Sequence, residues 1–121
     1  MAKLIELQSH QDSRGVITVV EQILPFPIKR IYYMYAMDGS KRGGHRHRKT
    51  SQAVICLQGS CSIYCHDGMK EQLISLDNPR KCLILQPADW HRIENVTGQA
   101  IVMVLASEEY STEDYINEPY A

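Results

Sequence analysis

Short β-prone runs, punctuated by Gly, Pro, Asp and Asn roughly every ten residues, set the tightest limit on what this chain can fold into. The turn Asp12-Ser13-Arg14-Gly15 precedes a strand over 16–21. A tyrosine-rich strand over 28–37 follows, broken by Asp38-Gly39-Ser40. Further strands are predicted over 45–47, 52–57, 61–65, 71–76, 81–86, 91–94 and 100–106. Gly59-Ser60, the Asp67-Gly68 hairpin signal, Asp77-Asn78-Pro79 and Thr97-Gly98-Gln99 separate them. Residues 4–7 read as an N-terminal strand, and only 111–116 reads as a helical turn, capped by Ser111 or Thr112. About eight to ten such strands predict an all-β sandwich, jelly roll or closed barrel, mostly antiparallel. The 121 residues suit one domain spanning 1–121, with no repeat or linker.

Composition narrows the function. Thirteen basic residues against 14 acidic leave a net charge of −1, so no excess charge is available to neutralise a run of phosphates and no nucleic-acid partner is expected. No apolar run approaches the ~20 residues of a membrane span, and Met1-Ala2-Lys3-Leu4-Ile5-Glu6 lacks a signal-peptide core, so a cytoplasmic setting is expected. Cys56, Cys61, Cys65 and Cys82 form no C-x-x-C pair and read as small reduced core residues.

The chemistry concentrates at Gly44-His45-Arg46-His47. Residues two apart on a strand share a face, so His45 and His47 point together and Arg46 points away. On the inner face of a barrel both imidazoles enter a pocket at its mouth. A pair of structural histidines is the plain alternative. A metal site built with His91 is the sharper one, weakened because Gln52 offers an amide where a carboxylate would bring charge. The acidic stretch 108–118 reads as a solvated tail, with Tyr110 and Tyr115 packed on the barrel.

His45-Arg46-His47, then Gln52, then Gly59, resemble the first cupin motif, with Gln52 in place of the usual Glu. Pro87-Ala88-Asp89-Trp90-His91 followed by Asn95 resembles the second, one residue short between Pro87 and His91. The likeness narrows through Asp12-Ser13-Arg14-Gly15, Pro27-Ile28-Lys29-Arg30-Ile31-Tyr32-Tyr33, Arg42-Gly43-Gly44, Val54-Ile55-Cys56-Leu57-Gln58-Gly59 and Asp114-Tyr115-Ile116. Together they look like the cupin-fold sugar 3,4-ketoisomerases, over nearly the whole chain.

That resemblance implies a jelly-roll enzyme acting on dTDP-4-keto-6-deoxyglucose, moving its ketone from C4 to C3 for amino sugars of bacterial surface glycans such as O-antigen. It implies a homodimer with exchanged N-terminal strands, no cofactor and no metal. The reaction needs a base for the acidic C3 proton, an enediol, and an acid at C4. Histidine, titrating near 6.5, suits both tasks. The resemblance makes His45 and His47 this pair, with His45 favoured as the C3 base and His47 as relay or acid. Tyr33 and Tyr35, on one strand face, are expected to donate to the enediolate oxygens. Arg14 and Arg42 are expected to bind the diphosphate, with Gln52 and His91 lining the sugar pocket. A 3,5-epimerase, a metal-dependent cupin and a non-catalytic sugar-binding module are the competing readings.

Overall fold

The turn chemistry delivers its strands in the computed structural model, which describes residues 1–37 and 39–121; of the predicted break after the tyrosine-rich strand, Asp38 lies outside the described residues. In chain order the strands are β1 (Lys3–Glu6), β2 (Gln8–Asp12), β3 (Gly15–Val19), β4 (Arg30–Met34), β5 (Arg42–His47) and β6 (Gln52–Gln58). Then come β7 (Cys61–His66), β8 (Glu71–Leu76), β9 (Lys81–Leu85), β10 (Trp90–Glu94), β11 (Ile101–Ala106) and β12 (Tyr115–Ile116). Two five-stranded sheets result, ordered β1-β9-β6-β11-β4 and β12-β5-β10-β7-β8, with β2-β3 as a separate hairpin. The strand pairings are antiparallel, and the architecture is the expected all-β jelly roll.

The main core lies between the sheets. Val54 and Cys56 of β6 pack there with Ile63, Leu83, Leu85, Val102 and Val104. The alternate side chains of β6, Ala53 and Ile55, meet a second cluster with Leu7, Cys82, Ile84 and Leu105, covered by Val20, Leu24 and Phe26. Over Ala53–Cys56 both faces of β6 are therefore covered, which is why that stretch, Ala53-Val54-Ile55-Cys56, is apolar without alternation. The four cysteines are buried and unpaired, as expected of core residues.

Several boundaries differ from those the sequence predicts. The tyrosine strand runs only over Arg30–Met34, because Pro27 delays its start and Ala36, at φ 54°, turns the chain out of the sheet. The strand predicted over 16–21 ends at Val19, before Gln22 adopts φ 54°. Strand β2 escapes prediction, since Gln8-Ser9-His10-Gln11-Asp12 has no β-branched residue and forms through its pairing with β3. The terminal turn is one 3₁₀ turn, Thr112–Asp114, flowing into β12, and the Ser111 side chain makes no capping bond. The N-terminal strand expected over 4–7 lies, within this single chain, as β1 along β9.

Candidate active site

Two glycines let the site form. Gly43 and Gly44 take φ of +88° and +83°, and a Cβ on Gly43 would stand 3.1 Å from the His91 carbonyl oxygen. Their absence of side chains allows β5 to close on β10 beside a register shift at His91/Arg92, which sets His45 directly opposite His91. Alternation places His47 on the same face, and β12, at the sheet edge, sets Tyr115 opposite His47.

Three imidazoles and a phenol thus share one wall. The His45 ring lies 5.0 Å from those of His47 and His91 and 4.4 Å from that of Tyr115, centroid to centroid. Behind them, the His47 Nδ1 hydrogen-bonds Asp114 Oδ2 at 2.8 Å. Asp114 is itself buried and accepts from the Thr50 hydroxyl and from the backbone N–H groups of Arg48 and Lys49. A carboxylate held by that many donors stays ionised: burial pushes its pKa up, but the bonds from Thr50, Lys49 and His47 prevail and hold it below the usual value. Pairing with Asp114 makes Nδ1 of His47 the protonated nitrogen, so Nε2 presents its lone pair, and that atom is buried without a partner.

Burial keeps all three rings neutral. It pushes His45 down to about 4, helped by repulsion from His47, and His91 down to about 3 against the bond that His91 Nδ1 makes to the Asp89 carbonyl. Burial also lowers His47, but the bond to Asp114 and its charge oppose the shift. A neutral imidazole next to a fixed carboxylate can take a proton and be stabilised as the cation that results.

In front of this wall lies a cavity of about 380 Å³ bordered by His45, His91, Arg42 and Gln52, four residues singled out from the sequence. His47 sits behind His45, outside that lining. Arg46 points away, as alternation requires, with its guanidinium 4.4 Å from the Tyr120 ring centroid. On β4, Arg30, Tyr32 and Met34 face the cavity. Gln52 Nε2 donates to the Tyr32 hydroxyl at 3.2 Å, leaving the hydroxyl hydrogen free to donate inward. The Arg30 guanidinium stacks on Tyr32, 4.4 Å from its ring centroid, and brings a second positive charge to the cavity beside Arg42.

Tyr33, also singled out from the sequence, borders the cavity although it is 63% exposed. Two sequence-predicted residues stand elsewhere. Tyr35, one residue past β4, is 65% exposed and lies outside the cavity lining. Arg14 sits at the tip of the β2–β3 hairpin, its side chain 87% exposed and paired with Asp12 at 2.6 Å. The acidic stretch expected to be solvated contains Asp114, which is buried; the correction follows from β12, whose pairing carries Asp114 inward ahead of Tyr115. Asp114, Tyr32 and Arg30 were not singled out for the site from the sequence. The phase of β4 would have identified the last two, but it is fixed by pairing with β11, where Tyr32 faces Val104.

A family model described as "FdtA: WxcM-like, C-terminal" matches residues 1–121. The TDP-4-oxo-6-deoxy-alpha-D-glucose-3,4-oxoisomerase of Aneurinibacillus thermoaerophilus is 40% identical over 119 residues, 96% of this chain and 86% of that protein. QdtA, a sugar 3,4-ketoisomerase from Thermoanaerobacterium thermosaccharolyticum crystallised with TDP, superposes with a TM-score of 0.92 at 37% identity, covering 97% of this chain and 88% of its own. A 3,4-ketoisomerase from Helicobacter canadensis gives 0.92 at 33% identity, covering 97% and 90%.

Proposed function

This chain belongs to the FdtA: WxcM-like, C-terminal family, and from that premise we propose that it is the isomerase that moves the ketone of TDP-4-keto-6-deoxyglucose from C4 to C3. The single observation that carries the reading is His45 at the cavity wall, backed by His47, whose tautomer Asp114 fixes.

The C4 ketone acidifies the C3 hydrogen. His45 takes that proton as the C3–H electron pair becomes the C3–C4 double bond of an enediolate, with negative charge on O4. Tyr32, whose hydroxyl accepts from Gln52, donates to the developing oxyanion. The O3 proton passes to O4, and a proton is returned to C4, giving the 3-keto isomer with nothing gained or lost. Positive charge formed on His45 is offset by the Asp114 carboxylate behind His47, whose ring lies 5.0 Å from that of His45. Arg30 and Arg42 present guanidinium groups for the diphosphate.

The working unit is a homodimer. The hairpin exposes Val16 and Ile17, and the outer face of β4 exposes Ile31, Tyr33 and Tyr35, apolar surface that suits a second copy. In that assembly Arg14, remote from its own cavity lining, serves the partner's site. Among the described residues no helix is long and apolar enough to cross a membrane. A cytoplasmic setting, expected from the sequence, and a place in the making of surface-glycan deoxyamino sugars, implied by the resemblance, complete the reading.

The test is an NMR time course with TDP-4-keto-6-deoxyglucose in deuterated water. A 3-keto product labelled at C4 is expected, and its H4–H5 coupling gives the C4 configuration. Exchange at C3 and C5 without ketone movement would make the protein an epimerase, and no exchange at all would make it a binding module.

A further inference from the structure

Only three of the five histidines in this sequence lie together, and they converge from two adjacent strands onto one point. One ligating nitrogen from each of His45, His47 and His91 lies within 4.8 Å of the others. We propose that these three imidazoles form a binding site for a divalent transition-metal ion, zinc in the first instance, and that metal occupancy reversibly blocks the isomerase.

The donor set argues for it. Two of the rings have their second nitrogen engaged: His47 Nδ1 with the Asp114 carboxylate at 2.8 Å and His91 Nδ1 with the Asp89 carbonyl at 3.1 Å. Outer bonds of this kind fix the tautomer and aim the free lone pair, as in histidine ligands of zinc proteins. Nε2 of His47 is buried and has no hydrogen-bond partner, so the fold leaves a lone pair unsatisfied that a metal ion would satisfy. Zinc–imidazole bonds of about 2.0–2.1 Å require the nitrogens to draw inward from the present spacing by side-chain rotation. The cavity lies open in front of His45 and His91, leaving room for a fourth ligand from solvent.

The same set also predicts selectivity. Gln52, the neighbouring amide, is already engaged with Tyr32, and the Asp114 carboxylate is taken up by the far nitrogen of His47, so among the described residues the cluster offers imidazole nitrogen alone. Imidazole-only sites favour zinc, copper, nickel and cobalt over magnesium, calcium and manganese. Blocking follows from the lone pairs: the nitrogen that binds an ion cannot also accept the C3 proton.

The experiment uses the full chain, treated with EDTA and titrated with Co²⁺, with visible ligand-field absorption as the readout. One saturating equivalent, displaced by Zn²⁺ and unaffected by Mg²⁺, is expected. His91→Asn should abolish the signal, Asp114→Asn should weaken binding by about 10–100-fold, and the paired control His10→Asn/His66→Asn should match the unaltered protein. Because a histidine variant can fail to fold, the unaltered chain labelled with ¹⁵N-histidine supplies a second measure. Zn²⁺ should shift three imidazole signals and spare those of His10 and His66. No saturable absorption, or shifts confined to His10 and His66, would overturn the proposal. Turnover undiminished at saturating Zn²⁺ would overturn its inhibitory half. A protein that binds Co²⁺ but never isomerises the sugar would refute the activity and leave the metal site standing.

Discussion

The histidine wall and the β2–β3 hairpin make an instructive pair. Both carry residues that the sequence marks for substrate chemistry, yet one is buried and cross-braced while the other stands clear. His45, His47 and His91 sit on two adjacent strands, and Asp114 supports the wall from the sheet edge. Arg14 projects from a two-stranded ribbon that belongs to neither main sheet, and its side chain pairs with Asp12 of the same ribbon. The histidine wall is assembled within one sheet of one chain. The role proposed for Arg14 instead needs a second copy to bring the ribbon tip to the cavity.

The largest effect expected is on the wall. His45→Asn should lower kcat by about 10²–10⁴-fold, the usual share of a positioned acid–base group, while TDP affinity by calorimetry stays within several-fold. Normal turnover would take His45 out of the mechanism and erase the contrast. Next comes Asp114→Asn, expected to cut kcat by about 10–100-fold with little change in KM, because the residue touches His47 and not the cavity. A loss expressed in KM alone would show that Asp114 only shapes the pocket.

On β4 the contrast runs between two faces of one strand. Tyr32→Phe should lower kcat by about 10²-fold, the lower end of what a lost hydrogen-bond donor to a developing oxyanion costs. Tyr35→Phe, on the outer face, should leave steady-state kinetics within about twofold, in keeping with a surface substitution. Equal effects would mean that the outer face also meets substrate.

Arg14→Ala should raise KM several-fold with kcat preserved, and it also decides whose site the hairpin serves. Mixing Arg14→Ala with His45→Asn chains under exchanging conditions should restore about a quarter of the sites if Arg14 acts across a twofold dimer. No restoration of activity at low substrate would return Arg14 to its own chain or to the surface.

The legible part of this molecule is local. Turn residues mark where strands break, and the H-x-H spacing alone puts His45 and His47 on one face. What stays illegible depends on neighbours. In Arg30-Ile31-Tyr32-Tyr33-Met34-Tyr35 the apolar set is Ile31, Tyr33 and Tyr35, which periodicity assigns to the interior. The pairing of β4 with β11 does the reverse, sending Arg30 and Tyr32 inward because the interior here is a polar cavity. Asp114 is hidden for the same reason: its acidic surroundings look solvated until β12 docks on β5 and four donors gather around its carboxylate. Spacing within a strand survives as sequence information, whereas register between strands does not.

His47 and Asp114 stand 67 positions apart in the sequence, so the acid–base pair depends on a contact made late in the chain. The sandwich interior is made by strands that precede β12, so the core and the carboxylate that sets the tautomer of His47 come from different parts of the chain. Displacing the β12 segment would take the partner from His47 Nδ1 while leaving the residues of the core in place.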